Sequence, residues 1–243
     1  MNLNHLEAIA VTQKLSYSLD DKDYDAVDVC VIPPFTDLRS VQTLIDGDRL
    51  RLTYGAQDLS PETSGAFTGD ISGSMLNKLG CTYVVIGHSE RRSIHKESDE
   101  LVNKKIKAAL ANELTPIFCV GEELSIREAG TQVAHVVAQV KAGLAGFHKP
   151  ELKKIVIAYE PVWAIGSGRP ARPETVAAVA CALRSEAALT SAPLLYGGSV
   201  DGRSAAGYVG GSGAERVDGL LIGGASLEVE SLFQIAAAVG VSR

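Results

Sequence analysis

The sequence predicts an α/β protein built on one parallel sheet, and three observations carry that prediction. Short apolar runs alternate with longer amphipathic stretches along the chain. No Pro/Gly-rich linker or shift in composition divides it, so residues 1–243 are expected to form a single domain. Aromatics are only 5 % of residues, and Val, Ile, Leu and Ala are left to pack the core, as in sheets covered by helices.

The first element is a helix over 4–19, because Leu3, Leu6, Ile9, Ala10 and Leu15 recur at roughly helical spacing and Asn2 or Asn4 can cap it. Strands follow over 27–32, 51–56, 82–86, 115–120, 154–159, 193–196 and 217–222. Helices are expected over 35–44, 73–79, 99–112, 125–143, 173–189, 202–209 and 227–239. Seven strands with eight helices approach the eightfold βα repeat of a closed barrel, whose functional residues gather at the strand C-termini. A doubly wound sheet with helices on both faces stays open at this point. The count is also one strand short, since nothing ahead of the first helix reads as a strand. A barrel without one stave exposes unpaired backbone on both flanking strands, so the expectation is a barrel whose sequence starts late.

Apolar residues make up 46 % and charged residues 21 %, enough for a substantial core. The net charge of −6 is scattered without a basic block, which argues against nucleic acid or anionic membranes as partners. No apolar run approaches the ~20 residues of a membrane span, and no signal peptide is recognised. The four cysteines lack CxxC or metal spacing. Cys30, Cys81 and Cys119 sit in apolar runs and read as buried thiols in a reducing cytosol, so a cytoplasmic location is expected.

Chemistry concentrates in IVIAYEPVWAIGSG at 155–168. An apolar strand delivers one carboxylate, Glu160; Pro161 stops the strand; a loop with the chain's one tryptophan, Trp163, ends in glycines. A base waiting at a rim while a hydrophobic loop closes over it suits this pattern, because shedding water keeps a carboxylate basic near neutral pH. An ordinary strand-to-helix connection is the competing reading. After the strand at 82–86 comes GHSERR at 87–92. His88 there is expected to be held neutral by the positive end of a helical turn, so that it donates a hydrogen bond, with Glu90 and the arginines bracing the loop. A surface loop with solvated charges fits the hexapeptide equally well. Gly197-Gly198-Ser199 and Gly223-Gly224-Ala225-Ser226 follow two successive late strands. Paired glycines let backbone amides approach an anion, although glycine pairs are also common turn formers.

In order and spacing, GHSERR, AYEPVWAIGSG at 158–168, YGGSV at 196–200 and GGASL at 223–227 resemble the signatures of the triosephosphate isomerase family. The run GAQDLSPETSGAFTGDIS at 55–72 is similar to that family's long third loop. The resemblance spans essentially the whole chain. It implies a (β/α)8 TIM barrel, here with the first β-strand missing, a homodimer, and no metal or organic cofactor. The implied reaction interconverts dihydroxyacetone phosphate and D-glyceraldehyde 3-phosphate in glycolysis and gluconeogenesis. Carried over by motif, Glu160 is the catalytic base and His88 the neutral electrophile, a division of labour for which this family is itself the standard example. Gly166, Ser199, Gly223 and Gly224 are the implied phosphate-binding residues, with Ser89 and Glu90 in support. Closure of the lid at 161–168, of which this family is again an example, would exclude water and keep an enediolate from losing phosphate. The loop from Gln57 to Asp70 would reach into a partner subunit, with Thr68 near that partner's site.

Four departures shape the expectation. The family's first strand ends in an asparagine and a lysine that touch substrate, and neither has a counterpart here. Losing that ammonium would remove on the order of several kcal/mol of transition-state stabilisation, so a mis-assigned start or a trimmed chain is expected. Ser167 stands where the lid often has threonine. Pro170 occupies the lid's second hinge, where fixed φ should alter lid kinetics. The connection over 190–192 is also short. His5, His95, His135 and His148 read as surface residues, Cys119 as packing and not a nucleophile, Trp163 as a hinge anchor, and Glu122, Glu123, Arg127 and Glu128 as a solvated helix start. Two rivals remain at this stage: a catalytically silent barrel that binds phosphorylated metabolites, and another phosphate-binding barrel enzyme with a different acid or base.

Overall fold

The computed structural model of the chain describes residues 1–166, 170–186, 189, 191–209 and 213–241. Among these residues seven strands form one parallel sheet: β1 (Cys30–Val31), β2 (Thr53–Ala56), β3 (Tyr83–Ile86), β4 (Thr115–Val120), β5 (Val156–Tyr159), β6 (Leu194–Tyr196) and β7 (Gly219–Leu220). Each pairs with its neighbour in sequence, from Cys30 against Thr53 to Tyr196 against Leu220. A doubly wound sheet reverses its strand order part-way; this sheet never does, and that alternative is gone. Parallel strands wound in one direction accumulate twist and curl into the arc of a (β/α) barrel. Among the described residues, β1 and β7 are the two ends of the arc. Each has a ladder partner on one side only, which is why the expected strands over 27–32 and 217–222 shorten to two residues each.

Alternation along the strands separates two layers, since successive side chains point to opposite faces. Val85, Ile117, Cys119 and Ala158 pack together on the concave face. Val84, Ile86, Phe118, Val120, Ile157 and Tyr159 point outward into the main core beneath the helices. Phe118 is so closely covered that a Cβ on Gly143 would collide with its ring.

The helices start where capping chemistry places them. Asn4 accepts the N–H groups of Leu6 and Glu7, and Glu7 returns a bond to the Asn4 N–H, which opens the helix His5–Ser18. Asp20 and Asp23 build the same box for an unexpected short helix, Asp21–Ala26. The single helix expected over 125–143 is two, Leu124–Glu128 and Gln132–Gly143. They are parted at Gly130, whose φ of 71° no right-handed helix accommodates. Pro173 occupies the first turn of Pro173–Ser185, where its missing N–H costs nothing. The connection over 190–192 includes Thr190, which lies outside the described residues.

Candidate active site at the strand C-termini

Because the strands are parallel, the residues that follow β3, β5, β6 and β7 share one rim. His88 follows β3 by way of Gly87, whose φ of 70° turns the chain, and caps the helix Ser89–Ile94. Its Nδ1 accepts the Glu90 N–H at 3.2 Å, so the ring proton sits on Nε2. Nε2 lies 2.9 Å from Glu160 Oε1, and the other carboxylate oxygen accepts the Ser89 N–H at 2.9 Å. Two residues 72 positions apart, from strands separated by β4, therefore meet directly (160 − 88 = 72).

Glu160 is 2 % exposed and set between glycines. Its N–H donates to the Val120 carbonyl at 2.8 Å. A Cβ on Gly121 would overlap the Glu160 carbonyl, and one on Gly197 would lie 2.9 Å from Glu160 Cγ. Any larger side chain at either position displaces the carboxylate.

Burial lowers the His88 pKa, whereas the hydrogen bond and charge of Glu160, and then Glu90, raise it; the balance lies above the ordinary histidine value. The bond accepted at Nδ1 is lost on protonation and limits that rise. That accepted bond is the feature of the structure that fits the neutral ring expected from the sequence. Cys119, fully buried on the concave face, has its thiol pushed well above the usual range by burial and then by the charge of Glu160. It packs, and is no nucleophile.

The arginines brace the loop as expected, but through partners other than Glu90, whose side chain is 74 % exposed. Arg92 donates to the Gly87 carbonyl at 2.8 Å and pairs with Asp99 at 2.7 Å. Arg91 pairs with Asp58 at 2.9 Å and Glu97 at 2.6 Å, and buried Lys105 bridges the same two carboxylates at 2.6 Å each. Asp58 belongs to the loop from Gln57 to Asp70, so this network ties that loop to the histidine segment. Above its base, closed by Ser60 Oγ on Asp70 at 2.7 Å, the loop is exposed, Phe67 and Thr68 included.

Trp163, expected to be a hinge anchor, is held at the start of the loop that follows Pro161. Its Nε1 donates to Glu122 Oε1 at 2.8 Å, Tyr159 donates to the same oxygen at 3.1 Å, and the Arg127 guanidinium covers the indole at 4.5 Å. Glu122 is 0 % exposed, so the solvated reading of that residue is wrong. A carboxylate buried against a phenol and an indole N–H is held by hydrogen bonds, which scattered charges in the sequence do not reveal. Arg127 is also half-buried, whereas Glu123 and Glu128 are exposed as expected.

Ser199 donates from Oγ to the lid carbonyl of Ala164 at 2.7 Å. Gly166 is exposed with φ of 65°. Gly223 and Gly224 are exposed at the turn after β7, where a Cβ would meet nothing within 4 Å; the Gly223 carbonyl is held locally by Ser226. The structure thus joins His88 to Glu160 and Ser199 to the lid, while the three glycines are open backbone at the same rim. Ser167, Gly168 and Arg169 of the expected lid lie outside the described residues, and Pro170 beyond them is exposed. His5, His95 and His148 are exposed, and His135 is half-buried. Among the described residues no group of three or more His, Cys, Asp or Glu could hold a metal ion. No described helix is long and apolar enough to cross a membrane.

A family model described as triosephosphate isomerase matches residues 1–239. The chain belongs to the triosephosphate isomerase family. Proteins named triosephosphate isomerase from Mycobacterium tuberculosis (strain ATCC 25618 / H37Rv) and Mycobacterium bovis (strain ATCC BAA-935 / AF2122/97) are each 56 % identical to it. Each alignment runs over 244 residues and covers 98 % of this chain and 92 % of the relative. A relative of the same name from Mycolicibacterium paratuberculosis is 55 % identical over the same shares. The GHSERR and AYEPVWAIGSG segments through which the sequence resembles the triosephosphate isomerase family are those that carry His88, Glu160 and Trp163. From the sequence Glu122 reads as part of a solvated helix start, and Gly121 is not singled out. A Gly-Glu pair directly after the apolar run at 115–120 repeats the strand-end pattern that flagged Glu160, and was the signal available.

Proposed function

We propose that this chain interconverts dihydroxyacetone phosphate and D-glyceraldehyde 3-phosphate, with Glu160 as the base and His88 as the group that polarises the carbonyl. The observation that carries the reading is the 2.9 Å contact between His88 Nε2 and Glu160 Oε1 at the strand C-termini. A triose phosphate entering there separates the two groups. Freed of the carboxylate, His88 keeps its proton on Nε2 through the Nδ1 bond to Glu90 N–H and offers it to the carbonyl oxygen. Glu160 takes the proton from the adjacent carbon, an enediolate forms, and the proton returns at the neighbouring carbon. The buried setting of Glu160 between Gly121 and Gly197 supports its role as a base sheltered from water.

Gly166, Ser199, Gly223 and Gly224 hold the phosphate in this reading. The open backbone at the three glycines and the Ser199 bond to Ala164 support a cradle that the lid completes. The enzyme works as a cytoplasmic homodimer, with the exposed loop from Gln57 to Asp70 seated in the partner; its anchorage by Lys105 and Arg91 supports a preformed docking element. No organic cofactor or metal takes part. A coupled assay with D-glyceraldehyde 3-phosphate tests the reading, on this chain and on one preceded by a strand ending in Gly-Asn-Trp-Lys. Isomerisation by either supports it, and silence from both overturns it.

A further inference from the structure

An aromatic pair grips the lid's second hinge. Tyr196, the last residue of β6, is fully buried, and its hydroxyl accepts the Ala171 N–H at 3.2 Å and lies 3.5 Å from the Ser199 carbonyl oxygen. Its phenol also fills the space in which a Cβ on Gly198 would sit, so it touches the loop that carries Ser199. Tyr208 lies on the short helix Ala206–Val209 and is 4 % exposed. Its ring stacks on Tyr196 with centroids 4.2 Å apart and planes 24° from parallel, and its hydroxyl donates to the Ala171 carbonyl at 2.6 Å.

The N–H of Ala171 belongs to the peptide plane before its Cα, and the C=O to the plane after it. A bond to each plane restrains φ and ψ of Ala171, and these are the backbone's only soft torsions at that residue. Pro170 ahead of it and Pro173 behind it each fix their own φ. Turning about Ala171 therefore requires a tyrosine bond to open. Packing alone would be served by Phe or Leu at 208. A buried hydroxyl is costly without a partner, and this one spends its hydrogen on a hinge carbonyl.

We propose that Tyr208 is a positioning residue of the lid: by fixing the Ala171 carbonyl it aims the Ala171 N–H at Tyr196, and through Tyr196 it couples the second hinge to the Ser199 loop. The proposal rests on the isomerase reading for the lid's role, but not for the grip on Ala171. Tyr208→Phe removes the hydroxyl and keeps the stack; Tyr208→Leu removes both. On the full chain, amide exchange of Ala171 reports the grip by NMR. The fluorescence of Trp163, the chain's one tryptophan, reports lid relaxation with glycerol 3-phosphate as ligand.

In Tyr208→Phe, Ala171 exchange and Trp163 relaxation should both quicken by roughly 5-fold, the weight of one ordinary hydrogen bond. KM should rise more than kcat falls, and Tm should fall by only a few degrees, the share of one buried hydrogen bond in a domain of this size. Tyr208→Leu should go further in the same direction. Unchanged exchange and relaxation in Tyr208→Phe overturn the proposal. So does a uniform quickening along the helix Pro173–Ser185 with a larger fall in Tm, which is how a plain core residue behaves. If the unsubstituted chain neither turns over triose phosphate nor alters Trp163 fluorescence with glycerol 3-phosphate, the isomerase reading and the lid role fall together. The Ala171 comparison still decides the grip.

Discussion

On the β3–β5 side of the rim, Glu160 is enclosed by Ser89, His88, Gly121 and Gly197, and the segment that holds His88 is tied down by four ion pairs from Arg91 and Lys105. On the β7 side, Gly223 and Gly224 face open space and their described hydrogen bonds are local. Groups that exchange a proton need fixed separations of about 3 Å, and the first region supplies them through burial. A site that admits and releases a phosphate needs accessible N–H groups and little else. The same rim is thus closely packed around the proposed base and open at the proposed phosphate cradle.

The largest effect should come from Lys105→Met, which removes the more deeply buried of the two cations shared by Asp58 and Glu97 and leaves them Arg91 alone. Loss of one partner from such a network costs about 3–5 kcal/mol, measurable by denaturant unfolding. Burial raises the Glu97 pKa, but Lys105 and Arg91 overcome it and hold the group below the ordinary carboxylate value. The stability it contributes is present above that ordinary value and is lost as pH falls through the folded one. The mutational cost should therefore shrink in acid. An undiminished cost there would detach the network from its charges.

Next in size, the two regions should answer oppositely to a single methyl group. Gly121→Ala forces the Glu160 backbone aside and should cost about 1–3 kcal/mol with a drop in kcat. Gly223→Ala has room, so Tm should hold while a phosphate monoester binds roughly 10-fold more weakly, the weight of one charged hydrogen bond. Equal losses of stability at both sites would erase the contrast. The smallest effect is on titration. Glu160→Gln should lower the His88 pKa from its raised position, followed through the imidazole nitrogens by NMR. A raised folded pKa means that this pair stabilises most below the ordinary histidine value and loses its contribution as pH climbs through the folded one. A His88 curve identical in both proteins would contradict the pairing.

Much of this architecture can be read from the chain. The strand over 115–120 and the helix start at Phe35 come from apolar runs and periodicity, which report local structure faithfully. Glu160 stands out as a lone carboxylate at a strand end, whereas His88, inside the polar run GHSERR, stands out only through the family resemblance. What stayed hidden depends on long-range contact. Glu122 looks solvated among Glu123 and Glu128 until Tyr159 and Trp163 close on it. Tyr208 looks like any aromatic on a short helix until it meets Ala171. The terminal strands β1 and β7 were read too long because apolar runs record burial, whereas strand length depends on how many neighbours supply hydrogen bonds.

The central claim is that Glu160 moves the proton while His88 holds the carbonyl. Dihydroxyacetone phosphate incubated in deuterated water, with its C1 protons followed by NMR, tests it most directly, using this chain and one preceded by a strand ending in Gly-Asn-Trp-Lys. Exchange at C1 should accompany appearance of glyceraldehyde 3-phosphate, and Glu160→Gln should slow both by roughly 10³-fold, within the range of a lost general base. Exchange that proceeds at the same rate in Glu160→Gln would contradict the account.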